Sequence, residues 1–130
     1  MKFINLLAMV FFLNCHLAHA DVVIHKIVFK CKTIKHLVLI DTQSAELYRY
    51  RAWNLPKNIN SKPDIEVMNG QMQLEGTGVC GSRYFTFKTG NVEFNIDDNV
   101  ACDETHPPKG AVGELEVVVS GKEKNHYYCF

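Results

Sequence analysis

Histidines, carboxylates and cysteines are the residues of this chain that could do acid–base, nucleophilic or metal chemistry, and their spacing limits how much of it they can do. His25, His36, His106 and His126 follow residue 20. Nucleophilic catalysis needs a histidine beside a Ser or Cys and an acid that orients it. No local motif supplies that arrangement, and a small hydrolase would require His106, Asp103 and Glu104 to meet in one cleft. Asp97-Asp98-Asn99, with Asp103-Glu104 beyond Cys102, offers hard oxygen atoms without the ordered spacing of a calcium loop, so it reads as a solvated turn. Zinc sites draw on closely spaced ligands such as Cys-x-x-Cys, and no such pair occurs. The expectation is a protein with no metal, no cofactor and no catalytic centre.

The cysteines have a different use. Residues 1–20 have the three parts of a secretory signal: Lys2, an apolar run over residues 3–13, and the small-residue exit Ala18-His19-Ala20. The run is too short to span a bilayer and no later stretch reaches the required length, so no transmembrane segment is expected. The alternative, a bacterial lipoprotein anchored at Cys15, is poorly served by Phe12-Leu13-Asn14 before it. Cleavage removes Cys15 from a total of 5 cysteines and leaves Cys31, Cys80, Cys102 and Cys129. In an exported domain these imply two disulfides, for which three connectivities exist. Cys80 with Cys102, and Cys31 with Cys129, is the favoured pairing. Exported here means periplasmic or secreted.

Such side chains need elements to hold them, and the period of the chain is two almost throughout. Residues 22–33 alternate, with Ile27, Phe29 and Cys31 on one face and Lys26, Lys30 and Lys32 on the other. Residues 37–40 are an apolar run suited to a buried strand, Asp41-Thr42-Gln43-Ser44 reads as a polar turn, and residues 46–53 form a further strand. Residues 54–63, with two prolines and three asparagines, read as the longest loop. Asn69-Gly70 then predicts a hairpin with Val67 opposite Met72 and Ile65 opposite Leu74. Thr89-Gly90 predicts another, with Phe85 opposite Phe94 and Phe87 opposite Val92, and Cys80 and Cys102 just beyond its open end. Leu115, Val117 and Val119 line one face of a strand that residues 121–125 turn back into residues 126–130. This is one all-β domain over residues 21–130, an antiparallel sandwich or small barrel of about eight strands. Mixed α+β, with a short helix over residues 42–47, is the alternative.

Charge excludes one class of partner. The chain holds 14 basic and 14 acidic residues, and loss of Lys2 with the leader makes the remainder slightly acidic. Nucleic-acid binders carry a basic excess, so no nucleic-acid partner is expected. Recognition residues are easier to find. Alternation sets Arg49, Arg51 and Trp53 on one face and Tyr48 and Tyr50 on the other, and Trp, Tyr and Arg supply large contact areas for a protein or a sugar ring. The competing reading makes the tyrosines core, the arginines solvated and Trp53 a cap on the sheet end.

Residues 76–84 (GTGVCGSRY) pack glycines and hydroxyl residues between two predicted hairpins, with Cys80 fixing one end. Gly81-Ser82-Arg83-Tyr84, Lys88-Thr89-Gly90 and Cys102 follow in an order that resembles the bacterial periplasmic and membrane-bound inhibitors of c-type lysozyme. The resemblance covers about a third of the chain. That family carries Ser-Gly before its variable pair and Tyr, where this chain has Gly81-Ser82 preceded by a cysteine. The resemblance implies an exported β-barrel that blocks a muramidase by plugging its acidic cleft, with Ser82 and Tyr84 at the contact and Arg83 as a basic contact. An immunity protein against another envelope-directed enzyme would have the same appearance in sequence. The alternative is a carbohydrate or envelope-ligand binding module built on Trp53 and the tyrosines.

Overall fold

The computed structural model describes residues 25–130. The expected leader, Cys15 and the first residues of the expected opening strand lie outside the described residues. From Ile27 onward the alternation of apolar and polar side chains gives eight strands: β1 Ile27–Lys32, β2 His36–Thr42, β3 Tyr48–Asn54, β4 Ile65–Glu75, β5 Ser82–Thr89, β6 Val92–Asp97, β7 Gly113–Val119 and β8 Lys122–Cys129. Each pairs antiparallel with the next, in one sheet of order β1 to β8 that curls into a half-barrel. Among the described residues there is no α-helix, and residues 43–46 form bends where the α+β alternative placed one.

Curling puts one face of every strand into a common core. Val38 and Ile40 of β2, Tyr50 and Ala52 of β3, Phe85 and Phe87 of β5, Phe94 and Ile96 of β6 and Leu115 of β7 fill it. Tyr50 stacks on Phe94 at 4.7 Å between ring centroids. The two edges of the sheet meet at the Cys31–Cys129 disulfide, with a Cα–Cα distance of 4.6 Å, and at a hydrogen bond from Phe130 N to Lys32 O. The second disulfide joins Cys80 to Cys102. Both pairings are those expected.

Four local readings are corrected. Asn69-Gly70 is not a hairpin tip; it lies inside β4, where Tyr48 pairs with Gly70 and Tyr50 with Val67, so one extra β4 residue is accommodated as a bulge. Asn69 takes the left-handed φ of 61° that the bulge needs. Gly70 lies under the Phe87 ring, where a Cβ would approach Cε1 to 2.0 Å. The β5–β6 tip is Gly90-Asn91 rather than Thr89-Gly90, so Phe85 pairs with Ile96 and Phe87 with Phe94. Gly90 supplies the φ of 58° at the first turn position, as a type II′ turn requires. The shift preserves parity, so every side chain keeps its face. The β7–β8 turn is Ser120-Gly121, both at positive φ, and β8 begins at Lys122 rather than after Asn125. Asp41 is part of β2 and buried, not part of a polar turn.

The outer faces of the two halves differ. On β2 and β3 the outward residues Leu39, Asp41 and Trp53 are nonetheless buried, and Trp53 Nε1 donates to Ser61 O at 2.8 Å, so the long loop lies against them. On β5–β8 the outward residues are mostly polar and border an open cleft.

Candidate functional site

The turn ahead of β5 is built for rigidity. Residues 78–80 make a single 3-10 turn, closed by hydrogen bonds from Cys80 N to Thr77 O and from Gly81 N to Gly78 O. Gly76, at φ 65°, leaves room for the Cys80 carbonyl, which a Cβ would approach to 2.3 Å. The disulfide to Cys102 ties this turn to the β6–β7 connection, and Asn99 of that connection donates to Val79 O at 2.9 Å and Gly81 O at 2.8 Å. On this fixed turn Val79 is 81% exposed, and Leu74, near the end of β4 and paired with Arg83, is 78% exposed. Large apolar side chains held rigid in water form a surface suited to docking.

Immediately after the turn, strand alternation splits the three residues carried over from the lysozyme-inhibitor resemblance. Arg83 shares the inner parity of Phe85 and Phe87, and closes the end of the half-barrel. Its backbone N–H and Nε donate to the two oxygens of Asp98, and Nη2 donates to Val28 O at 3.0 Å. Arg83 therefore enters the shape of the site through an internal ion pair, not as a free basic contact. Ser82 and Tyr84 have the outward parity, and both border depressions lined by acidic residues.

The larger of these is a cleft of about 460 Å³ on the outer face of β5–β8. Register builds it in two rows: Tyr84, Asp97, Glu114 and Tyr128, then Asn95, Glu116 and His126. Asp103 and Thr105 from the β6–β7 connection and Glu123 from β8 complete its lining. Partial burial, with Glu114 and Asp98 nearby, raises the Asp97 carboxyl above its ordinary range. Partial burial and the surrounding carboxylates push the Tyr84 phenol up to about 12. His126 Nε2 meets Glu114 Oε2 at 2.8 Å, and Thr105 Oγ1 lies 3.0 Å from the Tyr128 hydroxyl.

Comparison with protein-family models, curated proteins and solved structures gives no match. The geometry alone therefore sorts the remaining candidates. Arg49 and Arg51 converge on Asp41, which is 1% exposed, through Arg49 Nε to Oδ1 at 2.9 Å, Arg49 Nη2 to Oδ2 at 2.6 Å and Arg51 Nη2 to Oδ2 at 2.8 Å. They anchor a buried carboxylate. Trp53 is 0% exposed, with Arg51 over its ring at 5.4 Å, so it presents no face for stacking on a sugar. Tyr50 is core and Tyr48 packs edge-on against Phe85. Thus the surface group Arg49, Arg51 and Trp53 is a packed cluster separate from Ser82 and Tyr84.

Among the described residues no hydrogen bond joins His106 to Asp103 or Glu104, the grouping required of a hydrolase. Asp103 accepts from Thr105 N and Oγ1 at 2.7 Å, whereas His106 is exposed at φ 58° and makes no hydrogen bond with a described residue. Among the described residues no three His, Cys, Asp or Glu side chains converge as a metal site. Sequence reasoning missed Asn95, Glu114, Glu116, Glu123 and Tyr128. Their alternation in β6, β7 and β8 was readable, but only the register shows that three strands align them in one patch.

Proposed function

We propose that the chain is an exported, non-enzymatic binding protein that holds a partner protein through the stapled turn ahead of β5. The observation that carries this reading is the exposure of Val79 on backbone fixed by the Cys80–Cys102 bridge and Asn99, with Leu74 exposed on β4, where it pairs with Arg83. A surface ordered in advance loses little entropy on association. Two disulfides support an oxidising compartment, and no described helix is long and apolar enough to cross a membrane. The sharper form of the proposal follows the resemblance: the partner is a lysozyme-like muramidase or another envelope-directed enzyme, which the protein neutralises in a bacterial periplasm or outside the cell. Ser82 and Tyr84 supply the contact, and Arg83 shapes it from within.

The test uses oxidised protein, residues 21–130, as bait for purified muramidases and envelope extract. Capture and inhibition of a muramidase, reduced about tenfold or more in Leu74→Asp/Val79→Asp and in Ser82→Ala/Tyr84→Ala with circular dichroism unchanged, is the expected result. Capture of a different envelope-directed enzyme through the same turn assigns an immunity role. Recovery of glycans alone, or no capture by folded bait, overturns the proposal.

A further inference from the structure

The two disulfides stand in opposite surroundings. Cys31 and Cys129 are both 0% exposed and belong to the hydrophobic core. Cys80 and Cys102 are both exposed, lie outside that core, and together border a surface depression of about 390 Å³. A thiol that diffuses to the folded protein therefore reaches one bridge and not the other. Bridges open to solvent are the labile ones, whereas sealed bridges resist exchange for as long as the chain around them stays folded.

A second observation concerns what the exposed bridge holds in place. The pairing of β4 with β5 ends at Glu75 opposite Ser82, so residues 76–81 are the link between two paired strands, and none of them is buried. Three of the six are Gly76, Gly78 and Gly81, the first two at positive φ, and glycine gives up more conformational freedom on ordering than any other residue. Besides the bridge, the Asn99 amide ties this link to the β6–β7 connection, and its bond to Val79 O is exposed to water. An exposed hydrogen bond nets little against the backbone freedom of six residues. The order of Val79 thus depends on the bridge, while the core and the pairing of β4 with β5 do not.

We propose that Cys80–Cys102 is a thiol-exchange site at which an external dithiol turns the ordered link into a mobile one, while the half-barrel and its buried bridge stay closed. A thiolate of the dithiol attacks one of the two cysteine sulfurs, the S–S bond breaks, and the other cysteine leaves as a thiolate that takes up a proton. The second thiol of the reductant then attacks its own sulfur in the mixed disulfide and expels the remaining cysteine, which is protonated in turn. Two electrons have passed to the protein: the dithiol ends as a disulfide and the chain carries two thiols. Because docking through this turn requires an ordered Val79, opening the bridge switches docking off. That consequence rests on the docking function proposed above; the exchange site itself does not.

The test adds dithiothreitol to the oxidised, folded protein without denaturant, alkylates the thiols at intervals and locates them by peptide mass spectrometry. Cys80 and Cys102 are expected to be alkylated about tenfold or more faster than Cys31 and Cys129. At the stage where only the first pair has reacted, circular dichroism and the amide resonances of Phe85, Phe94 and Leu115 should be unchanged. The backbone order parameter of Val79 should fall from about 0.85 to below about 0.6. Cys80→Ser/Cys102→Ser, without reductant, should show the same low value. Equal reactivity of the two pairs, or a Val79 that stays rigid once the bridge is open, overturns the proposal. Neither readout needs a partner, so a bait that captures nothing would count against the docking function and not against the exchange site. Of any partner that the oxidised protein captures, protein with this bridge alone reduced should capture about tenfold less, and undiminished capture overturns the switch.

Discussion

Two aspartates show how differently one residue type is used on the two halves of the sheet. Asp97 is held above its ordinary value of 3.8 by partial burial, with Glu114 and Asp98 adding to the effect and Asn99 N–H and Ser82 opposing it. A carboxyl whose folded-state proton affinity is raised contributes stability at low pH, and that contribution is lost as the pH rises through the raised value. Asp97→Asn should therefore raise the thermal midpoint at pH 7, and the gain should disappear below pH 3.8, where the carboxyl is protonated folded or unfolded. Thermal unfolding at the two pH values checks this, and a gain that persists in acid would contradict it. Asp41 is the opposite case. Removing it leaves Arg49 and Arg51 without their shared partner, so Asp41→Ala should cost about 3 kcal/mol in urea unfolding, the lower end for a broken buried pair because both guanidiniums keep some contact with water.

At the scale of the element, the position of most sensitivity is Gly70 in β4. A methyl there would meet the Phe87 ring at 2.0 Å. Gly70→Ala should destabilise by about 1 to 3 kcal/mol, as overpacking does, with partial recovery in Gly70→Ala/Phe87→Leu, both read from urea midpoints. The same position marks how far the sequence could be read. Asn-Gly has the backbone preferences of a hairpin tip, but a bulge inside a long strand asks for the same residues: Asn69 for the left-handed φ, Gly70 for the close ring. Alternation was legible because it depends on one strand at a time. The tip at Gly90-Asn91 was displaced by a single residue from the expected one without moving any side chain to the other face. Asp41 was illegible as a buried residue because its burial depends on two arginines in the next strand. The disulfide pairing was legible from strand ends alone. The acidic cleft was not, since it exists only after β6, β7 and β8 are in register.

For the whole molecule, the two halves differ in how their outer faces are closed. Lysines and arginines lie on β1 and β3, and the long loop and the Asp41 pairs close the outer face of β2 and β3. Carboxylates gather on β6 and β7, where the outer face stays open. The half-barrel is completed by the Cys31–Cys129 bridge, which spans 98 residues and in the chain-entropy description stabilises by about 4 to 5 kcal/mol. Cys31→Ser/Cys129→Ser should lose about that much in denaturant unfolding while leaving the Cys80–Cys102 turn intact. Under the proposed function, the covered half serves as a frame and the stapled turn as the contact surface.

The most direct measurement is site-specific photo-crosslinking in a bacterial envelope extract, with the photoreactive amino acid placed at Val79 in one protein and at Ile59, an exposed apolar residue of the long loop, in another. The account predicts a discrete protein adduct from position 79 that is absent from position 59 and lost when the Cys80–Cys102 bridge is removed. The same adduct from both positions, or none from position 79, would contradict the claim that the stapled turn is where this protein meets its partner.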